Sequence, residues 1–227
     1  MAKTRTHYIC QQCGAQHTRW MGRCTECGTW DSLVEERSSP RATAANGRKR
    51  GIVAESDAPV LLTQISSDDT KRLSMRGEEL QRVLGGGLVP GSVVLVGGDP
   101  GIGKSTLLIQ VAAEFARTHG KTLYVSAEES ARQIKLRADR LSLDTNNLYV
   151  YSETSLDAIL EQMQQLQPAL VIVDSIQTVY LEDVGSAAGS VSQVREGALR
   201  LLQFAKQQNT PIFLVGHVTK EGAIAGP

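Results

Sequence analysis

The sequence predicts an α/β fold: a mostly parallel sheet with helices on both faces, preceded by a small module built on four cysteines. Three observations predict it. Short apolar runs alternate with amphipathic stretches between residues 92 and 215. A glycine-rich loop of the pattern G-x-x-x-x-G-K-[ST] joins the first run to the first stretch. All four cysteines of the 227-residue chain lie within its first 27 positions.

The cysteines come first in the chain. They read Cys10-x-x-Cys13, ten residues, then Cys24-x-x-Cys27. Two thiolates on one tight turn reach the same ion, and Gly14 and Gly28 follow each pair where the turn needs positive φ. Four thiolates make a closed tetrahedral shell, which suits structural zinc and leaves no open position for catalysis. Two disulfides are the alternative. Few apolar residues separate the pairs, so the metal is expected to drive folding of this module. His7 and His17 are spare nitrogens, expected at the surface. The module is expected to span residues 1–33.

Residues 34–58 are rich in Ser, Pro, Ala, Thr, Asn and Gly. They lack hydrophobic periodicity and carry Arg37, Arg41, Arg48, Lys49 and Arg50, with no acid from Arg37 to Ala54. This reads as a flexible basic linker, its cations either solvated or on nucleic-acid phosphate.

The larger domain is expected over residues 59–227. Ser92–Gly97 is a continuous apolar run, as in a buried parallel strand. A helix follows from Lys104 to about His119, with Leu108, Val111, Ala112 and Phe115 at helical spacing. Strand Thr122–Ser126, a helix over about Ser130–Leu141 and strand Leu148–Tyr151 come next. Leu156, Ile159, Leu160, Met163 and Leu166 mark another helix, stopped by Pro168. Leu170–Val173 is a strand ending at Asp174. A long helix from Ser190 to about Gln208 leads to strand Pro211–Val215. Such alternation gives a parallel sheet covered on both faces.

Gly98-Asp99-Pro100-Gly101-Ile102-Gly103-Lys104-Ser105 follows a strand and opens a helix, the context in which this motif cradles phosphates. Backbone N–H groups and the helix N-terminus face the phosphates. Lys104 would reach the β- and γ-phosphates of ATP, Ser105 would hold Mg²⁺, and Thr106 would lie near the nucleotide. Asp174, at a strand tip, suits a Mg²⁺ contact; the alternative is a helix N-cap. Glu128 and Glu129 follow strand Thr122–Ser126, and one of them could activate the attacking water, unless they serve the following helix as first-turn acids. His217 follows the last strand and could report the γ-phosphate, or be an ordinary loop residue. Thr219 and Lys220 lie just beyond.

Lys plus Arg and Asp plus Glu both number 24. That balance excludes a uniformly basic DNA coat, but it is a cancellation. Residues 1–58 hold nine basic and six acidic residues, and residues 59–227 hold fifteen and eighteen. No apolar run reaches the roughly 18 residues of a membrane span. The first 13 residues show no apolar secretory core, so a cytoplasmic protein without membrane contact is expected.

The motifs together resemble the bacterial RadA (Sms) family of RecA-like DNA repair ATPases. The resemblance rests on the Cys10–Trp30 ribbon with Trp20-Met21-Gly22-Arg23-Cys24 and Gly28-Thr29-Trp30. It also rests on Arg82-Val83-Leu84-Gly85-Gly86-Gly87-Leu88-Val89-Pro90-Gly91-Ser92, the Walker A loop and Tyr124-Val125-Ser126-Ala127-Glu128-Glu129-Ser130. Val173-Asp174-Ser175-Ile176-Gln177-Thr178 and Gly216-His217-Val218-Thr219-Lys220-Glu221-Gly222 complete it. The resemblance implies a RecA-like core and a hexameric ring that hydrolyses ATP. It implies binding of single-stranded DNA and branch migration of recombination intermediates beside the RecA recombinase. It favours Glu128 over Glu129 as the catalytic glutamate. The family's Lys-Asn-Arg-Phe-Gly motif and its Lon-like C-terminal domain do not occur in the sequence, so the chain is expected to be an N-terminal, C-terminally incomplete piece that binds nucleotide better than it turns it over. Two other functions stay open: an ATP-gated DNA- or partner-binding module with little hydrolysis, and a phosphotransferase of the circadian-clock type or a small-molecule kinase sharing the P-loop core, against which the ribbon argues.

Overall fold

A computed structural model describes residues 5–38, 61–64, 71–75 and 77–217. Most of the expected linker, and Thr219 and Lys220, lie outside the described residues.

The N-terminal module is a three-stranded antiparallel sheet in the order β2-β1-β3, from β1 (Arg5–Cys10), β2 (Gln16–His17) and β3 (Leu33–Ser38). β3 pairs all six residues of β1, from Cys10↔Leu33 to Arg5↔Ser38. The regular backbone therefore runs past residue 33, where the composition suggested that a linker began. Buried Cys10, Cys24 and Leu33 form its small core, with Tyr8, Cys13, Ala15 and Met21 packed around them.

The larger domain begins with a short helix α1 (Glu78–Val83), which the sequence reading missed. It has six residues, none of them buried, so it carries almost no amphipathic signal. A backbone bridge from Leu73 to Leu88 closes the segment around it. Gly87 (φ +141°) is required there, because a Cβ would sit 2.4 Å from the Leu73 carbonyl oxygen.

Then follow β4 (Val93–Gly98), α2 (Lys104–His119), β5 (Thr122–Ser126), α3 (Ala131–Arg140), β6 (Leu148–Ser152), α4 (Leu156–Leu166), β7 (Leu170–Asp174), α5 (Val191–Gln208) and β8 (Ile212–His217). The five strands make one parallel sheet in the order β4-β8-β7-β5-β6. Side chains alternate between its faces, as strand geometry requires. On β7, Val171 and Val173 enter one core with α4 and α5, around Leu156, Ile159, Met163 and Leu201. Leu170 and Ile172 enter the other with α2 and α3, around Leu108, Phe115 and Ile134.

Helix boundaries follow local chemistry. Ser130 caps α3 in a reciprocal capping box with Gln133. Ser190 caps α5 through the Gln193 N–H. Gln167 and Asn209 end α4 and α5 in left-handed conformation, and Pro168 and Pro211 follow. Between β7 and α5 the chain lacks regular structure. The buried Gln193 holds it, accepting from the Leu181 N–H and donating to the carbonyls of Leu181, Val184 and Ser186.

Two strands run further than their apolar cores suggested. β4 extends to Gly98 and β8 to His217, and these two residues are ladder partners. That register brings His217 beside the glycine-rich loop.

Candidate metal centre and nucleotide site

The two cysteine pairs sit on matching turns. The Gly14 N–H donates to the Cys10 carbonyl at 2.8 Å and the Gly28 N–H to the Cys24 carbonyl at 2.9 Å, with φ of +72° and +74°. All four sulfurs lie within 4.8 Å of one another. Cys10 and Cys27 are 3.6 Å apart and Cys13 and Cys24 3.7 Å, so the cysteines are free and not disulfide-bonded. Tetrahedral Zn–S bonds of about 2.3 Å set sulfurs about 3.8 Å apart, so the four-thiol set fits zinc.

The surroundings favour thiolate at Cys10 and Cys27, whereas at Cys13 the Ala15 hydrogen bond is outweighed by burial and the neighbouring thiols, which push it up to about 12. Burial alone would raise the Cys10 thiol, but the Ser32 hydrogen bond and the Cys13 and Gln12 N–H groups outweigh it and bring it down to about 6. Thr29 lowers Cys27 in the same way, its hydroxyl 3.4 Å from the sulfur. His17 is not among the metal-holding group; its Nε2 lies 3.5 Å from Cys24 Sγ and supports a ligand from outside.

The second site lies at the C-terminal ends of β4, β5, β7 and β8. The loop from Gly98 to Gly103 turns from β4 into α2. Gly103 is the α2 cap, with φ +103° and no side chain to offer, so no side-chain oxygen competes for the first N–H groups of the helix. That geometry suits an anion held by backbone N–H. Lys104 is 8% exposed and folds back on the loop. Its ammonium donates to the carbonyls of Gly98 at 2.8 Å and Asp99 at 2.9 Å, and lies 3.4 Å from His217 Nδ1. Pro100, Gly101 and Ile102 form the tip, with Ile102 largely exposed. Ser105 and Thr106 occupy the first turn of α2.

His217 Nδ1 faces the ammonium and accepts from it, so Nε2 carries the ring proton. It donates to Glu128 Oε1 at 3.2 Å. Ser175 Oγ donates to the same oxygen at 2.7 Å. Lys104, His217, Glu128 and Ser175 therefore form one hydrogen-bonded chain drawn from four elements. Glu129 points elsewhere and pairs with Arg137 of α3. The two adjacent glutamates, open alternatives in the sequence, are separated in space.

Asp174 ends β7 opposite Ser126 and is nearly buried. Its Oδ2 accepts from the Tyr124 hydroxyl at 2.6 Å. Burial, reinforced by this carboxylate, pushes the Tyr124 phenol well above its ordinary range, so it stays protonated and donates. Asp174 caps no helix, because α5 begins at Val191 and is capped by Ser190. Ser175, Tyr124 and Gln177 were not singled out in the sequence. Ser175 is fully buried beside Asp174, and Gln177 donates to the His217 carbonyl at 3.4 Å. A hydroxyl directly after the strand-end carboxylate was the available signal for Ser175.

With this geometry in view, comparison with known proteins places the chain. Residues 59–223 match the AAA domain family. The chain belongs to the AAA domain family. Its residues 8–35 match the rubredoxin metal binding domain. Over its whole length the chain is 53% identical to the DNA repair protein RadA of Listeria monocytogenes, covering 49% of that protein. It is 49% identical over its whole length to the RadA proteins of Bacillus subtilis and Pseudomonas aeruginosa, covering 50% and 49% of them. The resemblance drawn from the motifs therefore holds along the entire chain, which spans about half the length of these relatives. Among solved structures, a KaiC-like protein of Pyrococcus horikoshii superposes with a TM-score of 0.56 at 19% identity, covering 68% of this chain and 74% of that one. This likeness supports the RecA-like fold. Among the described residues of this AAA-family chain, no helix is long and apolar enough to cross a membrane.

Proposed function

We propose that this chain is the nucleotide-binding half of a DNA repair ATPase, organised as a zinc ribbon over 1–33 that β3 continues to Ser38, a basic linker from there to residue 58 and a RecA-like ATPase domain over 59–227. The observation that carries the reading is the convergence of Lys104, His217, Glu128 and Asp174 at one edge of the sheet, at the mouth of an anion-ready loop.

The loop from Gly98 to Gly103 takes the phosphates of ATP on its N–H groups. Lys104 exchanges the Gly98 and Asp99 carbonyls for β- and γ-phosphate oxygens. Ser105 and Asp174 would hold Mg²⁺, which neutralises developing phosphate charge when bound. Glu128 accepts the proton of the attacking water, and Ser175 fixes its carboxylate. His217, released by Lys104, passes the nucleotide state along β8. The substrates and partners of the full assembly follow the relatives' role: single-stranded DNA and branched recombination intermediates, the RecA recombinase, and copies of itself in a hexameric ring in the cytoplasm. The ribbon would engage DNA or a partner.

A second reading, an ATP-gated binding module with little hydrolysis, draws on Glu128. Its Oε1 is already shared between Ser175 and His217. ATPase assays with and without single-stranded DNA, on this chain and on Lys104→Ala, separate the two. Turnover that rises with DNA and vanishes in the variant supports the ATPase. Nucleotide-dependent DNA binding without turnover supports the gated module. Hydrolysis indifferent to both DNA and Lys104 defeats the ATPase reading.

A further inference from the structure

The chain has two tryptophans, and both lie on the zinc ribbon. Trp20 is 57% exposed and Trp30 69%. An indole is the side chain that gains most from burial, so leaving both in water forgoes several kilocalories. Singly scattered apolar residues are ordinary at surfaces. These two are not scattered. A Cβ built on Gly22 would lie 3.7 Å from the Trp30 ring and 3.9 Å from the Trp20 ring, so both indoles border the same residue without a side chain. The Arg23 guanidinium stands 5.8 Å from the Trp30 ring centroid, and its Nε donates to the Gly28 carbonyl at 2.7 Å. That bond fixes the cation beside the ring, and among the described residues its outer N–H groups have no acceptor, which leaves them to meet a phosphate.

We propose that Trp20 and Trp30 form a base-stacking platform for single-stranded DNA, with Arg23 as its phosphate contact. The two exposed indoles present flat aromatic faces. Met21, the neighbouring aliphatic residue, packs inward against the cysteine core. A docked helix or strand needs a contiguous apolar stripe, whereas an unstacked base needs one ring face and a nearby cation. Arg19 and Arg23 offset Glu26 and Asp31 in the same turn region, and the excess of cations is Arg41, Arg48, Lys49 and Arg50, which follow β3 in the sequence. This inference deepens the DNA-binding part of the proposed function by assigning a site to it; it does not depend on ATP hydrolysis.

The test uses the zinc-loaded chain and a twenty-residue oligothymidylate, fluorescein-labelled for anisotropy and unlabelled for quenching. Intrinsic tryptophan emission reads the platform directly, because it has no other source in the chain. The expected result is quenching by oligothymidylate but not by duplex DNA, with binding weakened about tenfold by Trp20→Ala and by Trp30→Ala at unchanged zinc content. Trp20→Phe and Trp30→Phe, which keep a ring, retain most of the affinity. If the oligonucleotide binds while emission stays constant and both alanine variants bind equally well, the platform is wrong and DNA binding itself survives. If no oligonucleotide binds with or without ATP, both fall. Emission that changes with protein concentration alone assigns the indoles to contact between copies and overturns the proposal.

Discussion

The ribbon and the parallel sheet reach order by opposite means. The sheet is flanked by clusters of sixteen and thirteen buried residues, one on each face. The ribbon's core has three, and two of them are metal-facing cysteines. The sheet can be held by apolar burial. The ribbon must be held by an ion, and its largest apolar side chains face outward. One region uses its hydrophobic residues to fold and the other keeps them for contact.

The largest expected effect falls on the ribbon alone. Stripping zinc with a chelator, or Cys24→Ser, removes a binding energy on the order of 10 kcal/mol and unfolds the ribbon. Tryptophan emission will report the loss while the melting of the sheet stays put. A shared transition would mean that the two regions fold as one. Within the sheet, Phe213→Ala empties a fully buried site and is expected to cost about 3–5 kcal/mol in denaturant unfolding. Zinc stoichiometry should not change.

Glu128→Gln tests the site rather than the scaffold. It should lower turnover about 100-fold or more with nucleotide binding and melting temperature retained. Glu129→Gln should instead disturb the Arg137 pair and leave the rate within a few-fold. The smallest expected effect is at Tyr124. Tyr124→Phe removes one hydrogen bond from Asp174, worth about 1 kcal/mol, and should shift the Mg²⁺ concentration needed for half-maximal nucleotide binding by a few-fold. Unchanged Mg²⁺ dependence would make Tyr124 a packing residue only.

Much of both regions was legible in the chain. The spacing of Cys10, Cys13, Cys24 and Cys27 dictates where four sulfurs can meet, and the glycines from Gly98 to Gly103 mark the turn from β4 into α2. Every strand of the parallel sheet stood out as an apolar run. The order β4-β8-β7-β5-β6 did not, because it arises from crossovers between strands far apart in sequence. That order is what sets Ser175 and His217 beside Glu128. Residue identity alone left Glu128 and Glu129 equivalent as well. In space they part: Arg137 claims Glu129 from the next helix, and Glu128 meets Ser175 and His217. Helix α1 escaped notice because six exposed residues carry no periodic face.

The folded-back lysine has a further consequence, for selectivity. Each proton of the Lys104 ammonium already has an acceptor, in a pocket nearly closed to water. An incoming anion must therefore outcompete three existing partners, not occupy an idle charge. A chain of phosphates that meets the backbone N–H groups and the ammonium together has more contacts to set against that loss than a single phosphate or sulfate ion has.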